Sequence, residues 1–258
     1  MRITLLQDVI LWNDKVANLE RTAKHLKKLE GKTDLVVLPE MFTTGFTIER
    51  TDLAETMEGV TVMTLKKWAA RYDFAIIGSF IAKESDKCYN RAFAVLPDGS
   101  FFYADKRHLF SPGREGELFS KGETKLIVPY KNFNICILVC YDLRFPVWSR
   151  NVDNEYDLLV YVANWPSSRI KAWDALLTAR ALENQAYVCG VNRIGTDGEG
   201  LQYCGNSRLI DYKGNDLLFL TDSVHYQIET VDIDKDRLQE FRQKFPVWKD
   251  ADKFSIDY

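Results

Sequence analysis

The chain has 258 residues, 46% hydrophobic and 28% charged, with a formal net charge of −3. That length permits one large domain or two small ones, and the composition is that of a folded protein with a sizeable core. The 34 Lys and Arg are spread along the chain, so no basic tract offers itself to nucleic acid or to a membrane surface.

In chain order, MRITLLQDVILWND carries an early Asp8 and no small-residue cleavage site, so Arg2 to Gln7 reads as a first strand and not as a signal peptide. Asn13 or Asp14 can cap a helix with apolar positions Val16, Leu19, Ala23, Leu26 and Leu29, ending near Gly31. DLVVLPE is a buried strand stopping at Pro39, and Thr61 to Arg71 is helical. DFAIIGSFIA, YNRAFAVL and SFFYADK are strands, the last two joined by Pro97-Asp98-Gly99. Residues 107–124, with Pro112 and three glycines, read as a loop. KLIVPY and NICILVCYD are strands, followed by a short helix from Pro146, the strand YDLLVYVAN, a helix from Ser168 to Gln185 and the strand YVCGVNRI. YCGNSRLID, DLLFL and HYQIETVDID complete the strands, before a helix near Lys235 to Lys244 and a polar tail from about residue 243. Several strands are apolar almost throughout, which calls for burial on both faces. The reading is one mixed α/β domain over residues 1–258, with no repeat or linker.

No stretch approaches 18 uninterrupted apolar residues, so no transmembrane helix is expected. The five cysteines, Cys88, Cys136, Cys140, Cys189 and Cys204, read as reduced thiols in a cytoplasmic protein. Cys136 and Cys140 lack the second ligand pair of a zinc site, so no metal is expected.

Three strand ends carry reactive side chains: Glu40 closes LVVLPE, Lys106 follows FFYAD, and Cys140 follows ICILV. Taken singly, each has an ordinary structural reading as a salt-bridged carboxylate, a solvated ammonium or a core thiol. Together they make an acyl-transfer set without histidine. The carboxylate takes the thiol proton, and the ammonium stabilises the thiolate and then an oxyanion, with the Tyr141 N–H as a second oxyanion donor. Only His25, His108 and His225 are present, and none sits in a convincing Cys–His motif.

LPE at 38–40, DKRHLF at 105–110 and CYDLRFP at 140–146 resemble, in order and spacing, the three signature segments of the nitrilase superfamily. YVANWP at 161–166, ARALENQAYV at 179–188 and NRIG at 192–195 extend the resemblance over the whole chain. It implies a four-layer α-β-β-α sandwich that pairs into a homodimer. It also implies Cys140 as nucleophile, Glu40 as general base, Lys106 as oxyanion stabiliser and a second glutamate in the loop after the lysine. Glu115 and Glu117 both stand in that loop, and Glu115 is preferred because it lies seven residues before Gly122, which resembles the glycine closing the loop in relatives. No cofactor is implied.

Within the superfamily, CYDLRFP with VWSRN and YVANWP is most similar to bacterial omega-amidases, which implies hydrolysis of 2-oxo-dicarboxylic monoamides such as 2-oxoglutaramate and 2-oxosuccinamate. Arg144 is the candidate grip for the substrate carboxylate, with Phe42, Trp165 and Tyr141 as apolar walls. The competing expectations are a deaminated-glutathione amidase, an N-carbamoyl amidohydrolase, and a non-catalytic scaffold of the same fold.

Overall fold

A computed structural model describes residues 1–256. Its strands are β1 (Arg2–Gln7), β2 (Leu35–Val37), β3 (Ala75–Glu84), β4 (Lys87–Val95), β5 (Phe101–Asp105), β6 (Leu126–Tyr130), β7 (Phe133–Val139), β8 (Leu158–Ala163), β9 (Tyr187–Asn192), β10 (Ile194–Thr196), β11 (Gln202–Cys204), β12 (Ser207–Ile210), β13 (Asp216–Leu220) and β14 (Gln227–Asp232). Its helices are α1 (Lys15–Lys27), α2 (Val60–Tyr72), α3 (Glu115–Leu118), α4 (Pro146–Ser149), α5 (Ile170–Asn184) and α6 (Lys235–Lys244).

Two six-stranded sheets result, in the orders β14-β1-β2-β3-β4-β5 and β13-β12-β9-β8-β7-β6, with β10 and β11 as a separate hairpin. In each sheet three central strands run parallel, β1-β2-β3 and β7-β8-β9, and the flanking strands are antiparallel.

The period of two in each strand explains the layers. In β8, Leu158, Val160 and Val162 face the other sheet, while Leu159, Tyr161 and Ala163 face α5. In β2, Leu35 and Val37 face the sheet interface, and Val36 and Leu38 pack with Leu26 of α1 and Leu65 of α2. Three apolar interfaces therefore stack, helix on sheet, sheet on sheet and sheet on helix, as an α-β-β-α sandwich. Strands buried on both faces are the cause of the unbroken apolar runs in the sequence.

Several boundaries differ from the sequence reading, each for a local reason. Asp14 caps α1, accepting from the Ala17 N–H, but Val16 is exposed because the buried face of the helix is Asn18, Leu19, Thr22, His25 and Leu26. Asn18 satisfies its amide on the Leu11 and Thr43 carbonyls, which lets a polar residue replace an apolar one on that face. NICILVCYD is strand only to Val139; Cys140–Arg144 is a 3-10 turn. YCGNSRLID breaks into β11 and β12 where Gly205 and Asn206 both take positive φ. The loop at 107–124 contains α3.

Helix α5 seats directly on β9 at Gly190, where an added Cβ would stand 2.6 Å from Leu177 Cδ1 and 2.7 Å from the Trp173 ring, both fully buried. Gly190→Ala is expected to lower stability by about 1–3 kcal/mol through overpacking, read as a shifted urea midpoint; an unshifted midpoint would show that the helix can yield.

Candidate active site

Four side chains stand just beyond the C-terminal ends of strands, where loops are held firmly and ligands bind. Glu40 follows β2, Lys106 follows β5, Cys140 follows β7 and Asn164 follows β8. Cys140 adopts φ +42, a left-handed conformation unusual for a non-glycine residue, at the corner between β7 and its 3-10 turn. Asp142 braces that corner. One carboxylate oxygen accepts from the Val139 N–H at 3.0 Å, and the other accepts from the His108 N–H at 2.9 Å and meets His108 Nδ1 at 2.8 Å. The nucleophile turn and the stretch after the lysine are thus tied through one buried carboxylate. Gly122 closes that stretch: its N–H donates to the Lys106 carbonyl, and a Cβ there would lie 2.1 Å from the Asp105 oxygen.

The side chains converge. Lys106 Nζ, fully buried, donates to Glu40 Oε1 at 3.1 Å and to Glu115 Oε2 at 2.8 Å. Glu115 also accepts from the Phe110 N–H at 2.6 Å. Glu40 Oε2 accepts from the Asn164 N–H at 2.8 Å, and the Asn164 side-chain amide donates to the Glu40 carbonyl at 2.7 Å. Asn90 donates to Glu40 Oε1 at 2.7 Å and to Glu115 Oε1 at 3.2 Å. Cys140 Sγ lies 3.9 Å from the Asn164 carbonyl oxygen and within hydrogen-bonding reach of Glu40. Glu115, not Glu117, reaches the lysine; Glu117 is exposed and paired with Arg114.

Burial opposes the Lys106 charge, but Glu115 and Glu40 outweigh it and hold the ammonium above the ordinary lysine range. Burial, with a smaller push from Glu40, raises Glu115 against the pull of Lys106. Burial and then the Glu40 charge lift the Cys140 thiol well above the ordinary range, Lys106 acting the other way. At neutral pH the sulfur therefore carries its proton beside a carboxylate that can receive it, and deprotonation can accompany attack.

The sulfur faces a cavity of about 310 Å³ lined by Lys106, Cys140, Tyr141, Arg144, Asn164 and Trp165, among others. Among the described residues, no group outside its own turn accepts from the Tyr141 N–H, and no group of three or more His, Cys, Asp or Glu is placed to hold a metal ion.

Residues 2–243 match the carbon-nitrogen hydrolase family. The chain belongs to that family. Among its relatives is omega-amidase YafV of Escherichia coli K12, 44% identical, with 99% of this chain and 98% of that protein covered. A 2-oxoglutaramate amidase of Bacillus subtilis is 29% identical, with 97% of each covered. Among solved structures, XC1258 from Xanthomonas campestris, a CN-hydrolase superfamily protein with an arsenic adduct in its active site, superposes with a TM-score of 0.97. It is 41% identical and covers 100% of this chain and 99% of its own. As a carbon-nitrogen hydrolase, the chain acts on the carbon–nitrogen bonds of amides, and no helix among its described residues is long and apolar enough to cross a membrane.

The hydrolase cavity also sorts the expected substrate contacts. Arg144 lines it with its guanidinium 4.9 Å from the Trp165 ring, and no carboxylate among the described residues pairs with it. Trp165 lines the same wall, its indole N–H donating to the Arg169 carbonyl. Tyr141 packs edge-on against Phe110 and Phe145, each at 5.1 Å. Phe42 is a correction: it lies in the core between the first sheet and its helices, 6.0 Å from Phe93, and does not line the cavity. The cause is Met41, whose φ of +44 turns the chain so that consecutive side chains after Glu40 part company.

Asn90, Asn164 and Asp142 escaped the sequence reading as site residues. Asn164 stood in the quoted YVANWP segment and Asp142 in CYDLRFP. For Asn90 the available signal was a polar residue inside the apolar alternation of β4, a place where an amide must find partners. Lys106 is the cation that lowers the Cys140 thiol, so Lys106→Met is expected to slow iodoacetamide labelling of Cys140 at pH 8 by about tenfold or more. Peptide mass mapping reads the rate, and wild-type kinetics in the variant would contradict this electrostatic account.

Proposed function

We propose that this hydrolase is an omega-amidase, releasing ammonia from the terminal amide of small 2-oxo-dicarboxylic monoamides such as 2-oxoglutaramate and 2-oxosuccinamate. The single observation that carries the reading is a thiol and an ammonium lining a small cavity, with a buried carboxylate in reach of both, and Arg144 on the same wall without a carboxylate partner among the described residues.

The chemistry follows from the positions. Cys140 Sγ attacks the amide carbon as its proton passes to Glu40, forming the C–S bond and placing the carbonyl electron pair on oxygen. Lys106 and the Tyr141 N–H stabilise that oxyanion. Glu40 returns the proton to nitrogen as the C–N bond breaks, and ammonia leaves a thioester. Glu40 then takes a proton from water as its oxygen attacks the thioester carbon. The C–S bond breaks, the sulfur regains the proton, and the acid departs. Glu115, paired with Lys106 at 2.8 Å, holds the ammonium beside Glu40.

Arg144 supports the substrate assignment. A guanidinium laid over an indole keeps its N–H fork free for a planar carboxylate, which a small acid carrying an amide at its far end supplies. The same reading places the enzyme in the cytoplasm as a homodimer built on a single domain. Exposed apolar Val147, just after the nucleophile turn, and Val247, which lines the same surface cleft, support pairing there.

The test is ammonia release from 2-oxoglutaramate compared with glutamine and an N-carbamoyl amino acid. Strong preference for the 2-oxo amide is expected, and carbon dioxide released with ammonia from the carbamoyl compound as the best substrate would replace this reading. Cys140→Ala should lower turnover by at least about 10³-fold with the fold retained; residual wild-type activity in a clean preparation would refute the thioester route. Arg144→Lys should lower kcat/KM about 10²-fold on carboxylate-bearing amides and leave neutral amides little changed, whereas equal losses would remove Arg144 from substrate recognition.

A further inference from the structure

Ser79 and Asn90 are buried polar residues on neighbouring strands that the reaction scheme leaves without a role. Both are fully buried, as are Met41, Glu40 and Glu115 around them. In the antiparallel pair, Ser79 sits opposite Ala92 and Asn90 opposite Ile81, so the two lie on a diagonal within reach of each other.

The protons can be placed. Ser79 Oγ accepts from the Met41 N–H at 2.9 Å, and its hydroxyl proton goes to Asn90 Oδ1, also 2.9 Å away. A hydroxyl has one proton to give, and a carboxamide oxygen has none. The carboxylates of Glu40 and Glu115 can only accept, so they face the two N–H protons of the carboxamide, at 2.7 Å and 3.2 Å, and Oδ1 is left to accept from the Ser79 hydroxyl. The Asn90 carbonyl accepts from the Lys106 N–H at 2.9 Å. One residue thus holds both carboxylates by its side chain and the lysine by its main chain. Through Ser79 the chain of hydrogen bonds returns to Met41, the residue bonded to Glu40.

We propose that Ser79 and Asn90 are positioning residues for the hydrolase reaction. By donating to Oδ1, Ser79 holds the carboxamide in the orientation that donates to Glu40 and Glu115, which keeps Glu40 placed as the base. A reversed amide would point an oxygen at two carboxylates and favour their protonation. The inference rests on Glu40 acting as the base in the proposed reaction, and it concerns what holds that base in place in a buried site.

The direction of the effect follows from the hydrogen bonds. Donors to a carboxylate stabilise its charged form. Loss of the orienting hydroxyl weakens them and is expected to move the loss of activity on acidification to higher pH. Ser79→Ala is expected to shift the acidic limb of kcat/KM against pH upward by about one unit. Near neutral pH, kcat should fall about tenfold, with KM within about twofold of wild type. Ser79→Thr, which keeps the hydroxyl, should restore the limb. Asn90→Asp, which puts a third carboxylate in the same volume, should shift it further and lower kcat more.

The same profile is read without any amide substrate from the pH dependence of iodoacetamide labelling of Cys140, which separates this inference from the substrate assignment. A moved labelling profile in Ser79→Ala and Asn90→Asp supports the inference even where 2-oxoglutaramate is not the substrate. Unmoved limbs and labelling profiles in folded Ser79→Ala and Asn90→Asp overturn it even where the wild type is a proficient omega-amidase. A labelling profile in Ser79→Thr that follows Ser79→Ala also overturns it, because a shape effect would then be responsible.

Discussion

The active site is organised around an ammonium ion with no contact with solvent. The Lys106 nitrogen is removed from water entirely, a placement that costs several kcal/mol unless opposite charge and hydrogen bonds replace the lost hydration. Glu40 and Glu115 supply that replacement from two sides. Burial, and after it the Glu40 charge, keeps the neighbouring thiol protonated in the resting site, with Lys106 acting the other way. The same arrangement thus holds the lysine in place and, in the proposed reaction, supplies a proton acceptor to the sulfur and a cation to the oxyanion.

The sandwich makes this cluster possible because its partners come from separate places in the fold. Asn90 belongs to the first sheet and Glu40 follows its strand β2, Cys140 and Asn164 follow strands of the second, and Glu115 comes from α3 in the loop after Lys106. Tight packing between the sheets, with Val37 and Ala92 on one side and Val139 and Val162 on the other, fixes the distance between these groups. A displacement of the sheets would separate the base from the sulfur, so core packing here is also a constraint on chemistry.

Two of the chain's left-handed backbone turns stand beside the site. Cys140 and Met41, one on each side of the site, both take left-handed backbone conformations. Each is held by hydrogen bonds from outside its own turn: Asp142 reaches His108 beside the first, and Ser79 receives the Met41 N–H beside the second. The strain at Cys140 turns the chain out of β7 so that the sulfur faces the cavity. At Met41 it sends Phe42 into the helix-side core, out of the substrate space.

The sequence by itself determined the alternation of strands and helices, the burial of strands on both faces, and the three strand ends that carry Glu40, Lys106 and Cys140. These are local properties: periodicity, turn residues and a reactive side chain at the end of an apolar run are all read within a few residues. It left Glu115 and Glu117 as rivals, since two carboxylates in one loop differ only in which one folds inward onto Lys106. It missed Asn90 as a site residue because a buried amide has no meaning until its partners are known, and Glu40 lies 50 residues away along the chain. It misplaced Phe42 because periodicity tells that an aromatic is buried and does not tell which of three stacked interfaces receives it. Only the tertiary structure decided these points, because each depends on the approach of groups that the chain connects through long, separately folded stretches.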